Sequence, residues 1–168
     1  MKKIMEMLQN MKAKNEKKDN KGFSLVELII VIAIMAILVG VVGTQVLPYI
    51  NKSKVAKDQQ VLNSISTAAV TAFSENAEKV TSDADITITD VFTAVTGDPA
   101  ESIQKDIITA CGFKDLAAFK KALGSDGKDT ITAVKVVFDQ KNHKVTTSVT
   151  YTDATKVKYP IKNVEATL

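Results

Sequence analysis

The 168-residue sequence has no arginine, one histidine and one cysteine. Because all 22 basic residues are lysines, the bidentate recognition of phosphate or guanine that arginine favours is not available. Cys111 alone cannot form an internal disulfide, and we interpret it as a small buried hydrophobe rather than a reactive thiol. His143 lies beside a predicted turn, which indicates a solvated residue rather than a catalytic base.

Enzyme signatures are also missing from the sequence. It contains no glycine-rich phosphate loop, no histidine and cysteine metal set and no nucleophile elbow. Asp126, Asp129 and Asp139 could bind calcium if loops brought them together, but ordinary turn acids explain them better. We therefore predict no enzyme activity, no catalytic residue, no metal and no cofactor.

Positive charge is concentrated at the N-terminus. Residues 1–22 hold seven lysines and three acids, and the rest of the chain holds 15 lysines and 16 acids. A nucleic-acid-binding domain would carry its basic patch on the folded part, so no specific nucleic-acid partner is predicted.

A long apolar run follows this basic segment. The 24 residues from Leu28 to Asn51 contain no charge. As a helix, residues 23–47 would span roughly 37 Å, which exceeds a hydrocarbon core of about 30 Å. The preceding lysines predict that residues 1–22 stay in the cytoplasm and that the C-terminal part is exported. An ordinary signal peptide is the alternative, but the run is long for one and no clear A-x-A site follows.

Glu27 is the exceptional residue of this region, because it lies just inside the apolar helix. The helix dipole supplies about 0.3–1 kcal/mol in the first turn, less than the few kcal/mol that a charge costs in a membrane. A positive partner is therefore expected. A cut after Gly22 would expose the amine of Phe23 four residues before Glu27, and a neighbouring subunit could offer such an amine. The alternative is an interfacial acid with no assembly role.

The segment Lys-Gly-Phe-Ser-Leu-Val-Glu at residues 21–27, followed by the apolar run, resembles the class III signal sequence of type IV prepilins. The resemblance implies that a prepilin peptidase cuts after Gly22 and methylates Phe23. It also implies that Glu27 neutralises the Phe23 amine of an adjacent subunit, on an inner assembly platform. The lysine-rich, disulfide-free composition is compatible with a low-GC Gram-positive pilin.

The end of the apolar helix contains helix-weakening residues, namely Gly40, Gly43 and Pro48. The resemblance suggests that the helix loosens around Ala36 to Thr44 when the subunit enters a filament. A simple kinked membrane helix is an equally weighted alternative.

Beyond Pro48 the pattern becomes amphipathic and predicts a helix over about residues 51–78. Its apolar stripe consists of Val55, Leu62, Ile65, Ala69 and Phe73. Shorter helices are predicted over residues 90–96, 99–111 (with Asp98 as the N-cap) and 114–123.

Alternating residues predict strands over 131–138 and 145–151, and a third around residues 157–161 with Pro160 at an edge. The expected fold is α+β, with a long N-terminal helix packed on a domain of short helices and a three-stranded antiparallel sheet.

These observations predict three segments: a cleaved leader (1–22), a transmembrane assembly helix (23–50) and an extracellular globular domain (51–168). The precursor would cross the cytoplasmic membrane once, and the assembled subunit would lie in a surface filament as a helical homopolymer. The resemblance implies a major pilin for adhesion, surface motility or aggregation. A minor pilin, or a pseudopilin of a type II secretion or DNA-uptake machine, is the alternative, and a non-polymerising anchored domain is less favoured.

Overall fold

The computed structural model describes residues 3, 5–7, 9 and 24–168 of the chain. Two compact units meet in the sequence between Thr44 and Gln45. In the first unit, helix α1 (Leu25–Val41) is apolar at every position except Glu27. Five residues with π-helical hydrogen bonding, Val42–Val46, follow it, and helix α2 (Leu47–Glu75) then continues into the second unit.

The second unit combines helices with an antiparallel sheet. After α2 and a short 3₁₀ turn (Ala77–Lys79) come strand β1 (Ile86–Ile88), helix α3 (Ala100–Cys111) and helix α4 (Leu116–Ala122). Strands β2 (Ile131–Asp139), β3 (Lys144–Tyr151) and β4 (Val164–Thr167) complete the chain, with 3₁₀ turns at Lys128–Thr130 and Ala154–Lys156. The sheet order is β1-β2-β3-β4, and every neighbouring pair is antiparallel.

The core of this unit lies between α2, the sheet and the two shorter helices. It includes side chains that are fully buried or nearly so: Leu62, Ile65 and Ala69 from α2, Ile103 and Ile107 from α3, Phe119 from α4, and Val134, Val136, Phe138 and Val145 from the sheet. Full burial of a large apolar side chain contributes about 1.5–3 kcal/mol. The predicted stripe is thus confirmed at its centre, and its end residues Val55 and Phe73 are half-buried.

The α+β fold and the long helix packed on the C-terminal part are confirmed, but the sheet has four strands instead of the predicted three. Strand β1 was not predicted, because three residues are too few to show an alternating pattern. The third strand was also predicted too early. Residues 157–161 are not in a strand, and β4 begins at Val164.

The segment before β4 bonds to side chains instead of to a neighbouring strand. The amide of Ile161 donates to Tyr151 Oη at 2.9 Å, and the amide of Lys162 donates to Gln59 Oε1 at 2.9 Å. Pro160 has no amide hydrogen to give to a ladder. These interactions explain why the apolar residues around Tyr159 do not form the predicted strand.

The predicted helix over residues 90–96 is wrong, because this segment is a loop built around Gln104. Gln104 Nε2 donates to the carbonyl oxygens of Val91 at 3.0 Å and Thr93 at 2.5 Å, and Gln104 Oε1 accepts from Val95 N at 2.9 Å. The amide of Val91 donates to the carbonyl oxygen of Val134 at 2.8 Å, and that of Phe92 donates to Asp90 Oδ1 at 3.2 Å. Backbone groups that a helix would have paired are thus satisfied by the buried Gln104 and by these contacts.

The other helix predictions differ from the structure only at their ends. Helix α2 starts before residue 51 and stops at Glu75, and α4 starts at Leu116 after an N-cap at Asp115. Helix α3 begins at Ala100 with Pro99 as N-cap, so Asp98 is not the cap that was predicted. The Asp98 carboxylate instead accepts a hydrogen bond from Ser102 Oγ at 2.5 Å.

Candidate assembly site

Helix α1 begins with a capping box formed by Ser24 and Glu27. Ser24 is the N-cap, and its Oγ accepts a hydrogen bond from Val26 N at 3.3 Å. Glu27 Oε2 accepts from Ser24 N at 2.8 Å. The two side chains therefore satisfy amide groups that have no partner inside the helix.

The capping box also fixes the place of a charge. Glu27 is the acidic residue of the first turn of α1, where the positive end of the helix dipole favours a carboxylate. One carboxylate oxygen is used by Ser24 N. A carboxylate offers about four lone-pair sites, so the group keeps capacity for a further donor.

The remainder of α1 is apolar around its whole circumference. The most apolar 18-residue window of the continuous helix Leu25–Glu75, which begins with α1, has a mean hydropathy of 3.1, and none of the residues of α1 is buried. By length and composition, this continuous helix can cross a membrane. Because the apolar surface is not confined to one face, lipid or the apolar helices of other subunits would suit it better than a one-sided domain core.

The π-helical residues Val42–Val46 lie next to the predicted loosening residues Gly40 and Pro48 and include Gly43. Thr44 Oγ1 donates to the carbonyl oxygen of Gly40 at 3.0 Å. Pro48 has no amide hydrogen, and its ring crowds the carbonyl four residues earlier, which is that of Thr44. A locally wider turn accommodates both effects, and such turns are a recognised cause of helix irregularity.

The predicted cleavage-site residues Gly22 and Phe23, the second of which is also the predicted methylation and assembly residue, lie outside the residues that the structure describes. Glu27 lies in the first turn of α1, where the sequence predicted it. Gly40, Gly43 and Pro48 lie 13 or more residues further along the chain. Ser24 and Thr44 were not predicted from the sequence to have a role. The Ser-x-x-Glu spacing of a capping box could have revealed Ser24.

Residues 17–43 match the prokaryotic N-terminal methylation motif. The match covers the end of the basic segment and most of the apolar run, and the motif is typical of type IV pilin-like proteins. It spans Gly22, Phe23 and Glu27, and it is typical of both pilins and pseudopilins. No curated protein matches the chain, and no solved structure does so.

The type IV pilin-like proteins that typically carry this motif are generally not enzymes. In residues 3, 5–7, 9 and 24–168, no group of three or more histidine, cysteine, aspartate or glutamate side chains is arranged to hold a metal. Cys111 is half-buried, with Sγ 3.6 Å from the carbonyl oxygen of Ile108, and His143 is exposed in the β2–β3 turn.

Proposed function

We propose that this chain is the major subunit of a type IV pilus, which serves adhesion, surface motility or aggregation. The observation that carries the proposal is the position of Glu27. A carboxylate held in the first turn of a fully apolar helix is costly in a membrane unless a cation joins it. The methylation motif supplies the complementary feature, because cleavage before Phe23 creates a positive amine.

The capping box explains how one carboxylate can serve two purposes. Before assembly, the hydrogen bond from Ser24 N gives Glu27 a partner within its own helix. During assembly, its remaining lone pairs accept the Phe23 amine of a neighbouring subunit displaced along the bundle. An ionic hydrogen bond of this kind is stronger than a neutral one, and the apolar surroundings strengthen it further.

The rest of α1 supplies the packing surface of the filament. Side chains such as Ile32, Met35 and Leu38 are exposed in the single chain and would pack against the same helix of other subunits. Among the described residues, and apart from the adjacent helix backbone, no atom lies within 4 Å of a Cβ placed at Gly40 or Gly43. In our proposal, these glycines and the adjacent π-helical turn allow the helix to loosen as the subunits pack.

The motif implies processing by a prepilin peptidase and transfer to an assembly machinery. We propose that the leader, residues 1–22, is removed on the cytoplasmic side and that the mature subunit waits in the membrane as a single-pass protein. An inner assembly platform then adds the subunit to the filament, and the domain that follows α1 reaches the cell surface.

The test separates the charge of Glu27 from its capping role. Glu27→Gln keeps an oxygen that can accept from Ser24 N but removes the charge, whereas Ser24→Ala removes the Oγ cap and keeps the charge. We expect Glu27→Gln to reduce filament incorporation about tenfold or more, because a buried amine loses its counter-charge. Ser24→Ala should stay close to wild type, since an N-cap contributes only about 1 kcal/mol. Immunoblots of sheared filaments and of membrane fractions measure both effects.

Mass spectrometry of the N-terminus provides the control. Each variant must begin at Phe23, so that a loss of filaments does not merely reflect an uncut leader. Glu75→Gln, an exposed change on α2, is the matched control for substitution of a helical glutamate. Normal piliation by Glu27→Gln, or a native protein that still begins at Met1, would contradict the proposal.

A minor pilin or a pseudopilin is the second candidate, because the methylation motif is common to all of these classes. The two candidate functions differ in how much of the filament this chain would make up. A major pilin dominates the protein of sheared filaments, whereas a minor component is a small fraction of it. Quantifying this chain in purified filaments therefore distinguishes them.

A further inference from the structure

Two loops of the second unit lie against the first turns of α2. The carboxylate of Asp58 accepts from Gly124 N at 2.7 Å and from Ser125 N at 2.9 Å, which holds the loop after α4. Gln59 exchanges two hydrogen bonds with the backbone of Lys162, both at 2.9 Å, which holds the loop before β4. These contacts fix the near end of the unit, where the chain arrives from the apolar helix.

The near end carries a group of lysines and tyrosines, which we call the boundary surface: Tyr49, Lys52, Lys54, Lys156, Lys158 and Tyr159. Lys52 Nζ lies 5.7 Å from the centroid of the Tyr49 ring, and Lys158 Nζ lies 5.5 Å from that of Tyr159. Tyr49 is 71% exposed although it follows the apolar run directly. Tyrosine and lysine at the end of a membrane helix are typical of the membrane–water interface, where an apolar body meets a polar tip.

A cleft with a volume of about 220 Å³ opens between α2 and both loops. Asn51 lines it on the α2 side, Asp126 on the side of the loop after α4, and Lys156, Lys158 and Tyr159 on the side of the loop before β4. Two lysines against one carboxylate leave the cleft positive beside an apolar wall, a combination that suits a phosphate group attached to a glycerol and acyl chains.

Carboxylates at the near end offset part of this charge. Asp126 pairs with Lys54 at 3.4 Å, and Asp153 pairs with Lys156 at 3.2 Å. Hydrogen bonds from Thr155 and the charge of Lys156 hold the pKa of Asp153 below its ordinary value, so this carboxylate stays ionised. The four lysines of the boundary surface and the two carboxylates that pair with Lys54 and Lys156 sum to a formal charge of +2. The other two lysines, Lys52 and Lys158, lie over tyrosine rings.

The positive charge of the near end is not shared by the second unit as a whole. Residues 45–168 carry 15 lysines and 15 acids, so the unit as a whole is neutral. At the far end of the unit, Phe73 stacks on Phe138 with ring centroids 5.1 Å apart. Along α2, this end lies about 33 Å from the near end. Acids predominate around that end: Glu75, Glu78, Asp83, Asp85, Asp139 and Glu165 occur with Lys79, Lys141 and Lys144. A negatively charged surface would therefore attract the near end and repel the far end.

We propose that the boundary surface rests on the headgroups of anionic phospholipids while α1 is in the membrane. The proposal follows from the chain itself, because Tyr49 and Lys52 come immediately after the last residues of the apolar run. It rests on the membrane-inserted precursor and not on filament formation. Entry into a filament would then require these headgroup contacts to be released.

The test measures the acetylation rate of each lysine by mass spectrometry, with an uncharged acetylating reagent. Full-length protein is placed in lipid nanodiscs of phosphatidylcholine alone or with about one-third phosphatidylglycerol. We expect Lys52 and Lys158 to react about threefold or more slowly in the anionic discs. Lys79 and Lys141, at the far end, should react equally in both. A salt concentration of about 0.5 M should remove most of the difference, since it screens headgroup charge.

A pair of double variants provides the matched comparison. Lys52→Gln with Lys158→Gln should abolish the lipid-dependent protection of Lys54 and Lys156, whereas Lys79→Gln with Lys141→Gln should leave it intact. Circular dichroism checks that both fold. The Glu27→Gln protein should show the same protection as wild type, so failure of filament assembly does not decide this test.

Three results would overturn the proposal. Equal labelling in neutral and anionic discs would show that headgroups do not cover the surface. Protection by added inorganic phosphate in neutral discs, equal to that in anionic discs, would identify a free-phosphate site instead. Protection that survives high salt would indicate burial against protein rather than lipid charge.

Discussion

At the residue scale, the chemistry of α1 depends on how Ser24 and Glu27 share hydrogen bonds. The Ser24 amide donates to Glu27, and the Glu27 carboxylate thereby has one partner inside its own helix. This arrangement would lower the cost of holding the chain in a membrane, because an unpartnered carboxylate in apolar surroundings is the most expensive state. It also leaves room for a second donor, which the proposed pairing between subunits requires.

Asp58 is a second residue with a defined role, because its side chain joins α2 to the loop after α4. Its side chain is 1% exposed and accepts two backbone hydrogen bonds. We expect Asp58→Ala to lower the free energy of unfolding by about 2–4 kcal/mol, since two amides lose a charged acceptor. Chemical denaturation of the full chain in detergent, followed by near-ultraviolet circular dichroism, measures this loss.

The matched control is Asp126→Ala, in the same loop. Asp126 also pairs with α2, through Lys54, but its side chain is 77% exposed. An exposed ion pair contributes about 0–1 kcal/mol, so this variant should be nearly as stable as wild type. An equal loss of unfolding free energy in the two variants would show that the stabilising effect of Asp58 does not depend on its burial.

At the scale of elements, the features predicted from sequence are those with a regular period. Helix α2 was predicted because Leu62, Ile65 and Ala69 recur on one face, and all three are buried. The β2–β3 hairpin was predicted from alternating residues on either side of a polar turn. One detail escaped the pattern: a bulge at Thr132 interrupts the register, so that Ile131 and Val134 are both buried while Thr132 is exposed.

The missed elements depend on contacts between residues far apart in the chain. The loop over residues 90–97 takes its shape from Gln104, and the segment before β4 takes its shape from Gln59 and Tyr151. Local propensity contains no information about such side chains. The position of Glu27 in the first turn of α1 could be predicted because a short local motif at the start of one helix defines it, whereas its role in assembly stays a prediction.

Tyr151 on β3 offers a test of one of these long-range contacts. Its hydroxyl oxygen accepts from Ile161 N, and Ile161 is buried. Tyr151→Phe should lower the free energy of unfolding by about 1–2 kcal/mol at neutral pH, because the amide loses its partner. Tyr159→Phe, at a half-buried tyrosine in the same region, is the control and should change little.

Alkaline pH extends this test of Tyr151. Burial is the main cause that raises the pKa of Tyr151 above its ordinary value of 10.0. The unfolded chain therefore ionises first, and this part of the stability is complete below pH 10 and is lost as the pH rises through the pKa of the folded protein. Wild type should lose stability in that range more steeply than Tyr151→Phe. Parallel pH dependences in the two proteins would contradict the assignment.

At the scale of the whole molecule, stability and assembly are assigned to different parts of the chain. The buried core belongs to residues 62–161, and α1 contributes no buried side chain to it. The contacts that hold the near end, from Asp58 and Gln59, also lie within the second unit. In the proposed assembly, the apolar helix would therefore exchange lipid for other subunits without disturbing the packing of the domain.

This division predicts that residues 51–168 fold without the apolar helix. The fragment keeps every residue of the buried core together with Asp58 and Gln59, and we expect a soluble protein with one cooperative unfolding transition. A fragment that starts at residue 64 loses Leu62 and both loop contacts, and it should fail to fold cooperatively. Two-dimensional NMR spectra and denaturant titrations compare the two. A narrowly dispersed NMR spectrum of the longer fragment, typical of a molten globule, would show that the apolar helix is part of the folding unit. In that case, moving the apolar helix from lipid into a filament would also alter the packing of the domain.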